Sequence, residues 1–225
     1  DMVKSYDGLN KFVQISTPEI YGSTNSLIKE NAVSQPSTPY AVSRAAGDMM
    51  LKIYQQQYDL PINFTRAANV YGQGQQLYRI IPRTILACLT GNALTLDGGG
   101  LSERAFIHVD DVSKATLAVA KTSLNGETFH VSTNEFISIR KLVEKITTMI
   151  GVSFEEVVNI GEERRGKDQA YFLDSSKLQT QLGWSANISL ENGISQTIDG
   201  VRKNLACLQF MDNGYVLNPA FAGMD

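Results

Sequence analysis

Apolar and polar positions follow one another along the chain in blocks that predict two buried strands near its start. The first block is an apolar run over residues 12–15, rich in β-branched and aromatic side chains, which stops at the polar residues 16–19. The second predicted strand covers residues 62–67 and leads to Asn69. Such runs are typical of strands in a parallel sheet, which is covered on both faces. Because ligands bind at the carboxyl ends of these strands, we expect the polar residues that follow them to form a site.

A helix is predicted between the two strands, from Tyr40 to about Tyr58. Thr38 is a suitable N-cap, and Pro39 suits the first helical position, where the helix makes no use of an N–H donor. The helix carries one predicted apolar stripe, made of Ala46, Met50, Ile53 and Tyr54. Shorter elements are predicted later in the chain, with helices over residues 80–89, 112–121, 139–150 and 190–205, and strands over residues 94–96, 105–109 and 128–132.

Tyr40 and Arg44 are the first candidates for chemistry, because residues four apart share one face of a helix. A tyrosine with its ordinary pKa of about 10 is a poor base at neutral pH, but a fixed positive charge nearby favours the phenolate. A tyrosine and an arginine can share a helix by chance. Here they follow a strand end, the pair Ser16 and Thr17 and a proline-tyrosine helix start, and that order favours a catalytic pair.

The composition excludes several classes of protein. The chain has 225 residues, 43% hydrophobic and 19% charged, which is typical of a globular protein with one or two compact units. Its formal net charge of -3 provides no basic field, so nucleic acid is not an expected partner. Cys88 and Cys207 are too few for a disulfide framework and lack metal-ligand spacing, so no metal is expected. Without an apolar run of membrane-spanning length or a basic-then-apolar leader, no membrane partner is expected, and the cytoplasm is the expected compartment.

Three motifs follow each other in one order: Phe-Val-Gln-Ile-Ser-Thr-Pro-Glu-Ile-Tyr-Gly at residues 12–22, Ser-Thr-Pro-Tyr-Ala-Val-Ser-Arg-Ala-Ala-Gly-Asp at 37–48, and Arg-Ala-Ala-Asn-Val-Tyr-Gly at 66–72. Together they resemble the extended short-chain dehydrogenase/reductase superfamily and its NAD-dependent epimerase/dehydratase family. Within that family the chain is most similar to nucleotide-sugar 4,6-dehydratases of the dTDP-glucose type. The resemblance covers about residues 10 to 200.

The resemblance implies an α/β fold, namely the C-terminal half of a Rossmann domain (a doubly wound parallel sheet) plus a smaller α+β substrate-binding lobe. Residues 1–72 would be the second part of the NAD-binding domain with the catalytic residues. Residues 73–210 would mainly form the nucleotide-sugar-binding lobe, with segments returning to the Rossmann sheet, and residues 211–225 would be a tail. No glycine-rich dinucleotide turn precedes Phe12, and residues 98–100 are interpreted as a simple turn. We therefore expect a truncated chain that lacks the first βαβ half.

An NAD cofactor and four catalytic residues are also implied by the resemblance. Tyr40 would deprotonate the hydroxyl at sugar carbon 4, assisted by Thr17, and Glu19 would remove the proton next to the transient ketone. Tyr40 and Arg44 would contact the cofactor. Two residues depart from the family pattern: Pro18 stands where dTDP-glucose dehydratases usually carry an Asp that protonates the departing hydroxyl, and Arg44 stands where the superfamily has Lys. A turn cap at Thr17 and a solvated carboxylate at Glu19 are the structural alternatives.

The same resemblance implies a nucleotide-diphosphate sugar as substrate. The residues expected to bind its sugar or phosphates are Asn69, Arg79, Arg104, Arg164 and Lys167. Arginine suits this task because it binds phosphate through two parallel hydrogen bonds, although each cation alone could be a surface charge. His108 and His130 lie in strand-like runs without partner spacing, so we predict that both are core histidines.

The favoured function is therefore a nucleotide-sugar 4,6-dehydratase, and three alternatives stay open. A UDP-glucuronate decarboxylase shares the Thr-x-Glu pattern and the first oxidation. A nucleotide-sugar epimerase belongs to the same superfamily, although simple 4-epimerases usually have no Glu at this position. A catalytically silent fragment that holds a nucleotide sugar but no cofactor is an alternative of another class. The family also implies a homodimer through the helix at residues 40–58.

Overall fold

The structure, a computed structural model, describes residues 8–24, 26–162 and 171–211. Within these ranges the strands are short and pair into four small sheets. In chain order the strands are β1 (Phe12–Ser16), β2 (Leu27–Ile28), β3 (Ile62–Ala67), β4 (Asn69–Tyr71), β5 (Leu94–Asp97), β6 (Glu103–His108), β7 (Thr128–Val131), β8 (Phe136–Ser138), β9 (Val158–Gly161) and β10 (Phe172–Leu173).

Helices alternate with these strands, as in other α/β proteins. They are α1 (Pro39–Tyr58), α2 (Ile80–Thr90), α3 (Val109–Lys121), α4 (Ile139–Ile150), α5 (Phe154–Val157), α6 (Ser176–Leu182) and α7 (Leu190–Leu208). A single-turn helix over Pro18–Tyr21, called the 3-10 turn below, follows β1 directly. A second one covers Gly98–Gly100, where a turn was predicted.

A parallel sheet in the order β1-β3-β7 carries the two predicted strand ends. Its register pairs Ser16 of β1 with Arg66 of β3, and Arg66 with His130 of β7. The polar residues after β1 and β3 therefore emerge at the same edge of the sheet, as the sequence pattern predicted. The other sheets are β4-β6-β8, β5-β9 and β2-β10, and of their pairings the one between β6 and β8 is antiparallel.

Helix α1 begins where its sequence signals predicted, because the Thr38 hydroxyl accepts a hydrogen bond from the Ala41 N–H at 3.1 Å. The apolar stripe of this helix does not face the core, although its pattern alone would suggest that it does. The buried positions of α1 are Ala41, Ala45 and Asp48. Of the stripe, Met50 and Ile53 are 64% and 56% exposed. The helix packs through small residues and one carboxylate, so its bulky apolar side chains face outward.

Helix α3 starts three residues earlier than predicted. His108 Nδ1 accepts a hydrogen bond from the Asp110 N–H at 3.3 Å, and this cap ends β6 and begins the helix at Val109. His108 and His130 are both buried in strands, as predicted for core histidines.

Two packed regions flank the edge at which β1 and β3 end. Phe129 and Ile107 belong to a core between strands and α3. Helices α2, α4 and α7 pack on one another around Ile85 and Leu142, and these three helices are called the helical lobe below. Its approach to β4 is close, because the Tyr71 ring occupies the space where a side chain at Gly193 would lie. That contact needs glycine and fixes α7 against the strand that lines the site.

Other features of the described residues bear on partners. None of their helices combines the length and apolarity needed to cross a membrane. Within the same ranges, no group of His, Cys, Asp and Glu is arranged to hold a metal ion. Cys88 is buried, Cys207 is exposed and both are free thiols.

Candidate active site

A cleft of about 850 Å³ opens at the carboxyl ends of β1 and β3, between the parallel sheet and the helical lobe. It brings together six of the nine predicted site residues: Thr17, Glu19, Tyr40, Asn69, Arg79 and Arg104. Arg44 lies beside the cleft and does not line it. Arg164 and Lys167 fall outside the described residues. The structure therefore brings these six residues, which are far apart in the sequence, to one cleft.

Thr17 and Glu19 enter the cleft from the 3-10 turn. Thr17 caps this turn, with its Oγ1 accepting a hydrogen bond from the Glu19 N–H at 3.3 Å, and Pro18 occupies the first position, where its fixed φ is suitable. The structural alternative for Thr17 is thus observed. A hydroxyl has one hydrogen and two lone pairs, so this cap leaves the Thr17 hydrogen available for a sugar oxygen.

Tyr40 and Arg44 approach from the start of α1. Tyr40 is the second residue of the helix, and its exposed side chain lines the cleft. Arg44 lies one turn further on, and its guanidinium donates a hydrogen bond to the Ile15 carbonyl oxygen in β1. Its Nε is buried and has no hydrogen-bond partner in the described structure. The strand therefore fixes the cation on the helix face that Tyr40 shares.

Asn69, Arg104 and Tyr171 form the opposite wall. The Tyr171 hydroxyl donates to Asn69 Oδ1 at 3.0 Å, and Asn69 Nδ2 donates to the Ala105 carbonyl oxygen at 3.2 Å. The Arg104 guanidinium lies 5.1 Å from the centre of the Tyr171 ring. Both the oxygen and the nitrogen of the Asn69 amide are thus hydrogen-bonded. Asn69 thereby holds the Tyr171 ring, against which the buried Arg104 guanidinium packs. Tyr171 was not predicted from the sequence, because its contact with Asn69 spans 102 residues.

The mouth of the cleft is positively charged at the helical lobe. Arg79 is exposed just before α2, with its guanidinium 5.3 Å from the centre of the Tyr78 ring. Arg83, which sequence analysis did not single out, lines the cleft from the first turn of α2. With Arg104 they provide three guanidinium groups, a composition suited to a diphosphate. The alternative that Arg79 is a surface cation stays open, because its side chain is exposed.

Behind the cleft, five polar residues contact each other and are called the buried polar cluster below: Ser16, Tyr21, Asp48, Arg66 and His130. Burial lowers the pKa of His130 to about 3, and burial raises the pKa of Tyr21. Both side chains are therefore neutral at pH 7. The sequence predicted a buried His130 but none of these contacts.

Comparison with known proteins gives a consistent result. The family described as GDP-mannose 4,6 dehydratase matches residues 1–197. A dTDP-D-glucose 4,6-dehydratase of Mus musculus is 32% identical over 203 residues, which are 88% of this chain and 57% of the mouse protein. A dTDP-glucose 4,6-dehydratase of Streptomyces griseus is 31% identical over 198 residues, which are 88% of this chain and 60% of that protein.

Solved structures agree with the sequence relatives. The crystal structure of a dTDP-glucose 4,6-dehydratase from Streptomyces venezuelae with NAD bound has a TM-score of 0.84 at 30% identity, covering 88% of this chain and 62% of that one. A UDP-glucuronic acid 4-epimerase from Bacillus cereus, in complex with UDP-glucuronic acid and NAD, has a TM-score of 0.83 at 28% identity. These likenesses confirm the predicted fold class. The chain spans less than two thirds of the length of each of these relatives.

Proposed function

Because the chain belongs to the GDP-mannose 4,6-dehydratase family, among the NAD-dependent epimerases and dehydratases, we propose that the whole protein is a nucleotide-sugar 4,6-dehydratase. Family membership confirms the resemblance drawn from the three sequence motifs. The observation that carries the proposal is that Glu19 and Tyr40, from separate elements, line one cleft whose other side bears arginines. A base for a carbon-bound proton and a base for a hydroxyl are the two groups that this reaction needs.

NAD is the cofactor that we assign to this reaction. The residues present fit it: the exposed Ile15 side chain offers an apolar surface in the cleft, and the Arg44 Nε is a buried donor without a partner in the described structure. Tyr40 and Arg44 are the residues that would contact it. When bound, NAD would supply a hydride acceptor for sugar carbon 4 and a hydride donor for carbon 6.

The protein's own groups move the protons. Tyr40 takes the proton from the hydroxyl at carbon 4, with the Arg44 cation on the same helix face, while Thr17 donates a hydrogen bond to the same oxygen. Glu19 then takes the proton from carbon 5, which the ketone has made acidic, and the hydroxyl leaves from carbon 6. Of the two protons released, one departs with that hydroxyl as water and one is added back at carbon 5.

Pro18 constrains this scheme, because it has no proton to give to the departing hydroxyl. Glu19, protonated by the preceding step, is the acid that we assign to this role. Pro18 also favours the second candidate, a UDP-glucuronate decarboxylase, since loss of carbon dioxide from a 4-ketone needs no acid for a leaving hydroxyl. The likeness to an epimerase that binds UDP-glucuronic acid is compatible with such a substrate.

The test is a product assay with the full-length protein. Incubation with NAD and dTDP-, UDP- and GDP-hexoses in heavy water is expected to give a 4-keto-6-deoxy sugar with one deuterium at carbon 5, detected by mass spectrometry and NMR. UDP-glucuronate is the parallel substrate, with release of carbon dioxide as its readout. Decarboxylation alone would establish the second candidate, and binding of nucleotide sugar without either product would indicate a catalytically silent protein.

The substrate contacts are part of the same proposal. The guanidinium groups of Arg104, Arg79 and Arg83 bind the diphosphate, with Arg164 and Lys167 as further candidates from the sequence alone. Asn69 supports this wall through Tyr171. A nucleotide sugar and NAD are both cytoplasmic metabolites, so we assign the protein to the cytoplasm and to carbohydrate biosynthesis.

A homodimer through α1 completes the proposal. Val42, Met49, Met50 and Ile53 are large apolar side chains of this helix that are each more than half exposed. Contiguous apolar surface of this kind is typical of an interface. Replacing Met50 and Ile53 together with Asp is expected to convert a dimer of the full-length protein to a monomer, measured by sedimentation velocity.

The matched control for this experiment is Leu117→Asp, because Leu117 is 53% exposed on a different helix, α3. It is expected to leave the dimer intact. A wild-type protein that sediments as a monomer, or a double variant that remains dimeric, would contradict the proposed interface.

A further inference from the structure

The buried polar cluster joins the two elements that carry Tyr40 and Glu19. Ser16, Arg66 and His130 occupy one level of three neighbouring parallel strands, as their register shows. Asp48 reaches this level from α1, and Tyr21 reaches it from the 3-10 turn. Apart from Ser16, none of these five residues lines the cleft.

Asp48 connects α1 to the end of β1, and it does so from the helix face that bears Tyr40. Its Oδ2 accepts a hydrogen bond from the Ser16 hydroxyl at 2.6 Å and another from Arg66 at 2.9 Å. Both charged side chains are only 4% exposed. Asp48 follows Arg44 by four residues and Tyr40 by eight, so the three share one face of the helix.

Arg66 extends the same connection to the 3-10 turn. Its second terminal nitrogen donates to the Tyr21 hydroxyl, and its guanidinium lies 5.0 Å from the centre of the Tyr21 ring. The Tyr21 hydroxyl also lies 2.8 Å from His130 Nε2 in β7. Tyr21 is the last residue of the turn, two positions after Glu19. One guanidinium therefore holds both the helix of Tyr40 and the turn of Glu19.

The cluster is suited to fixing the positions of α1 and the 3-10 turn relative to each other, and not to accepting or releasing a proton. Tyr21 and His130 are neutral at pH 7 because burial opposes their charged forms, and an arginine keeps its proton throughout the working range. Glu30 faces the same region and accepts the His130 backbone N–H at 2.9 Å. The only charged side chains in direct contact within the described cluster, Asp48 and Arg66, are of opposite sign.

We propose that Tyr21 and Arg66 are positioning residues, which hold the Glu19 carboxylate at the distance from Tyr40 that removal of the carbon 5 proton requires. This inference rests on the proposed dehydratase function. Tyr21 belongs to the turn of Glu19 and not to α1, so loss of its hydroxyl should slow the elimination more than the oxidation at carbon 4. A residue with a merely structural role would lower both steps together.

The test is Tyr21→Phe in the full-length protein, which keeps the ring and removes the hydroxyl. We expect kcat to fall about ten- to a hundredfold, the scale on which a displacement of about 1 Å affects rates, with KM within about twofold. Quenching with borodeuteride traps a 4-ketone as a sugar labelled at carbon 4. The fraction of trapped sugar that still carries its carbon 6 hydroxyl should be larger in the variant, because elimination has become the slow step.

Amide hydrogen exchange provides a readout that does not depend on the reaction. The Glu19 N–H, which donates to Thr17, should exchange faster in Tyr21→Phe, while the amides of α1 keep their protection. A wild-type protein that forms no 4-keto-6-deoxy product would refute the proposed function, whereas unchanged protection at Glu19 would refute the positioning role.

Two further variants separate positioning from stability. Thr197→Val removes another buried hydroxyl, which donates to the Gly193 carbonyl oxygen at a distance of 2.8 Å. Thr197 does not line the cleft, so this variant should leave the fraction of trapped 4-ketone unchanged. Arg66→Lys keeps a positive charge, but one ammonium group does not reproduce the two-sided contact with Asp48 and Tyr21, so it should slow elimination as well. Equal loss of both steps in Tyr21→Phe, or a change in Thr197→Val as large as in Tyr21→Phe, would overturn the inference.

Discussion

Replacing Tyr40 with Phe in the full-length protein is expected to lower kcat by about a hundred- to ten-thousandfold, the range typical of losing a general base. The phenyl ring keeps its place in the first turn of α1, next to the Thr38 cap, so the helix start should be preserved. What is lost is the phenolic oxygen, which is the proposed acceptor of the proton from the carbon 4 hydroxyl. Oxidation is the first step of the proposed reaction, so no later step should be reached.

The measurement is turnover of the nucleotide sugar, with borodeuteride trapping and calorimetric binding alongside. Tyr40→Phe should give no trapped 4-ketone, while nucleotide-sugar affinity stays within a few-fold of wild type. Tyr58→Phe is the matched control, because Tyr58 is an exposed tyrosine at the other end of the same helix. A Tyr40→Phe variant that retains more than a tenth of the wild-type kcat would contradict the assignment of Tyr40 as the base.

In the proposed reaction, Arg44 takes the place of the lysine that is usual in the superfamily. The guanidinium is long enough to reach back to β1, where it donates to the Ile15 carbonyl oxygen. Its charge is therefore held beside the strand end from which Thr17 follows, and on the helix face of Tyr40. Since an arginine keeps its proton, its assigned role is limited to a fixed positive charge and a hydrogen-bond donor.

Local sequence signals were sufficient to predict β1 and α1, two of the elements that line the cleft. The apolar run of β1 and the Thr38-Pro39 start of α1 are decided by neighbours in sequence, and both elements lie within one residue of the predicted bounds. The strands β2 and β10 are two residues long and exist through their mutual pairing, across about 145 positions of chain. No local pattern predicts such a pair.

The outward face of α1 shows a second limit of periodicity. An apolar stripe predicts which residues share a face but not what covers it. Here the buried positions are Ala41, Ala45 and Asp48: the two alanines are small, and Asp48 forms an ion pair with Arg66 of β3. The stripe with Met50 is left exposed, which is why we assign it to a second copy of the chain.

Candidate residues were found where a motif places them at a strand or helix end, as for Thr17 and Tyr40. The buried polar cluster was missed for a physical reason. Arg66 is a buried residue near the end of β3, and a single sequence gives no sign that its partners come from a helix, a turn and a strand up to 64 positions away. Only the register of the three parallel strands brings them to one level.

Glu19 decides between the proposed reaction and its alternatives, because only elimination of water needs a base at carbon 5. It lies in the 3-10 turn beside Thr17 and lines the cleft together with Tyr40. Glu19→Gln keeps the length of the side chain and its hydrogen-bonding capacity but removes the basic carboxylate. Oxidation at carbon 4, which depends on Tyr40 and Arg44, does not require that carboxylate.

Glu19→Gln is therefore expected to lower formation of the 4-keto-6-deoxy product by about a hundred- to ten-thousandfold and to abolish deuterium incorporation at carbon 5. In contrast to Tyr40→Phe, it should accumulate a 4-ketohexose that borodeuteride traps with its carbon 6 hydroxyl still in place. Glu156→Gln, at an exposed carboxylate on α5 outside the cleft, is the control and should react like wild type. If Glu19→Gln forms product at near wild-type rate, Glu19 is not the base, and the dehydratase proposal loses the residue that distinguishes it.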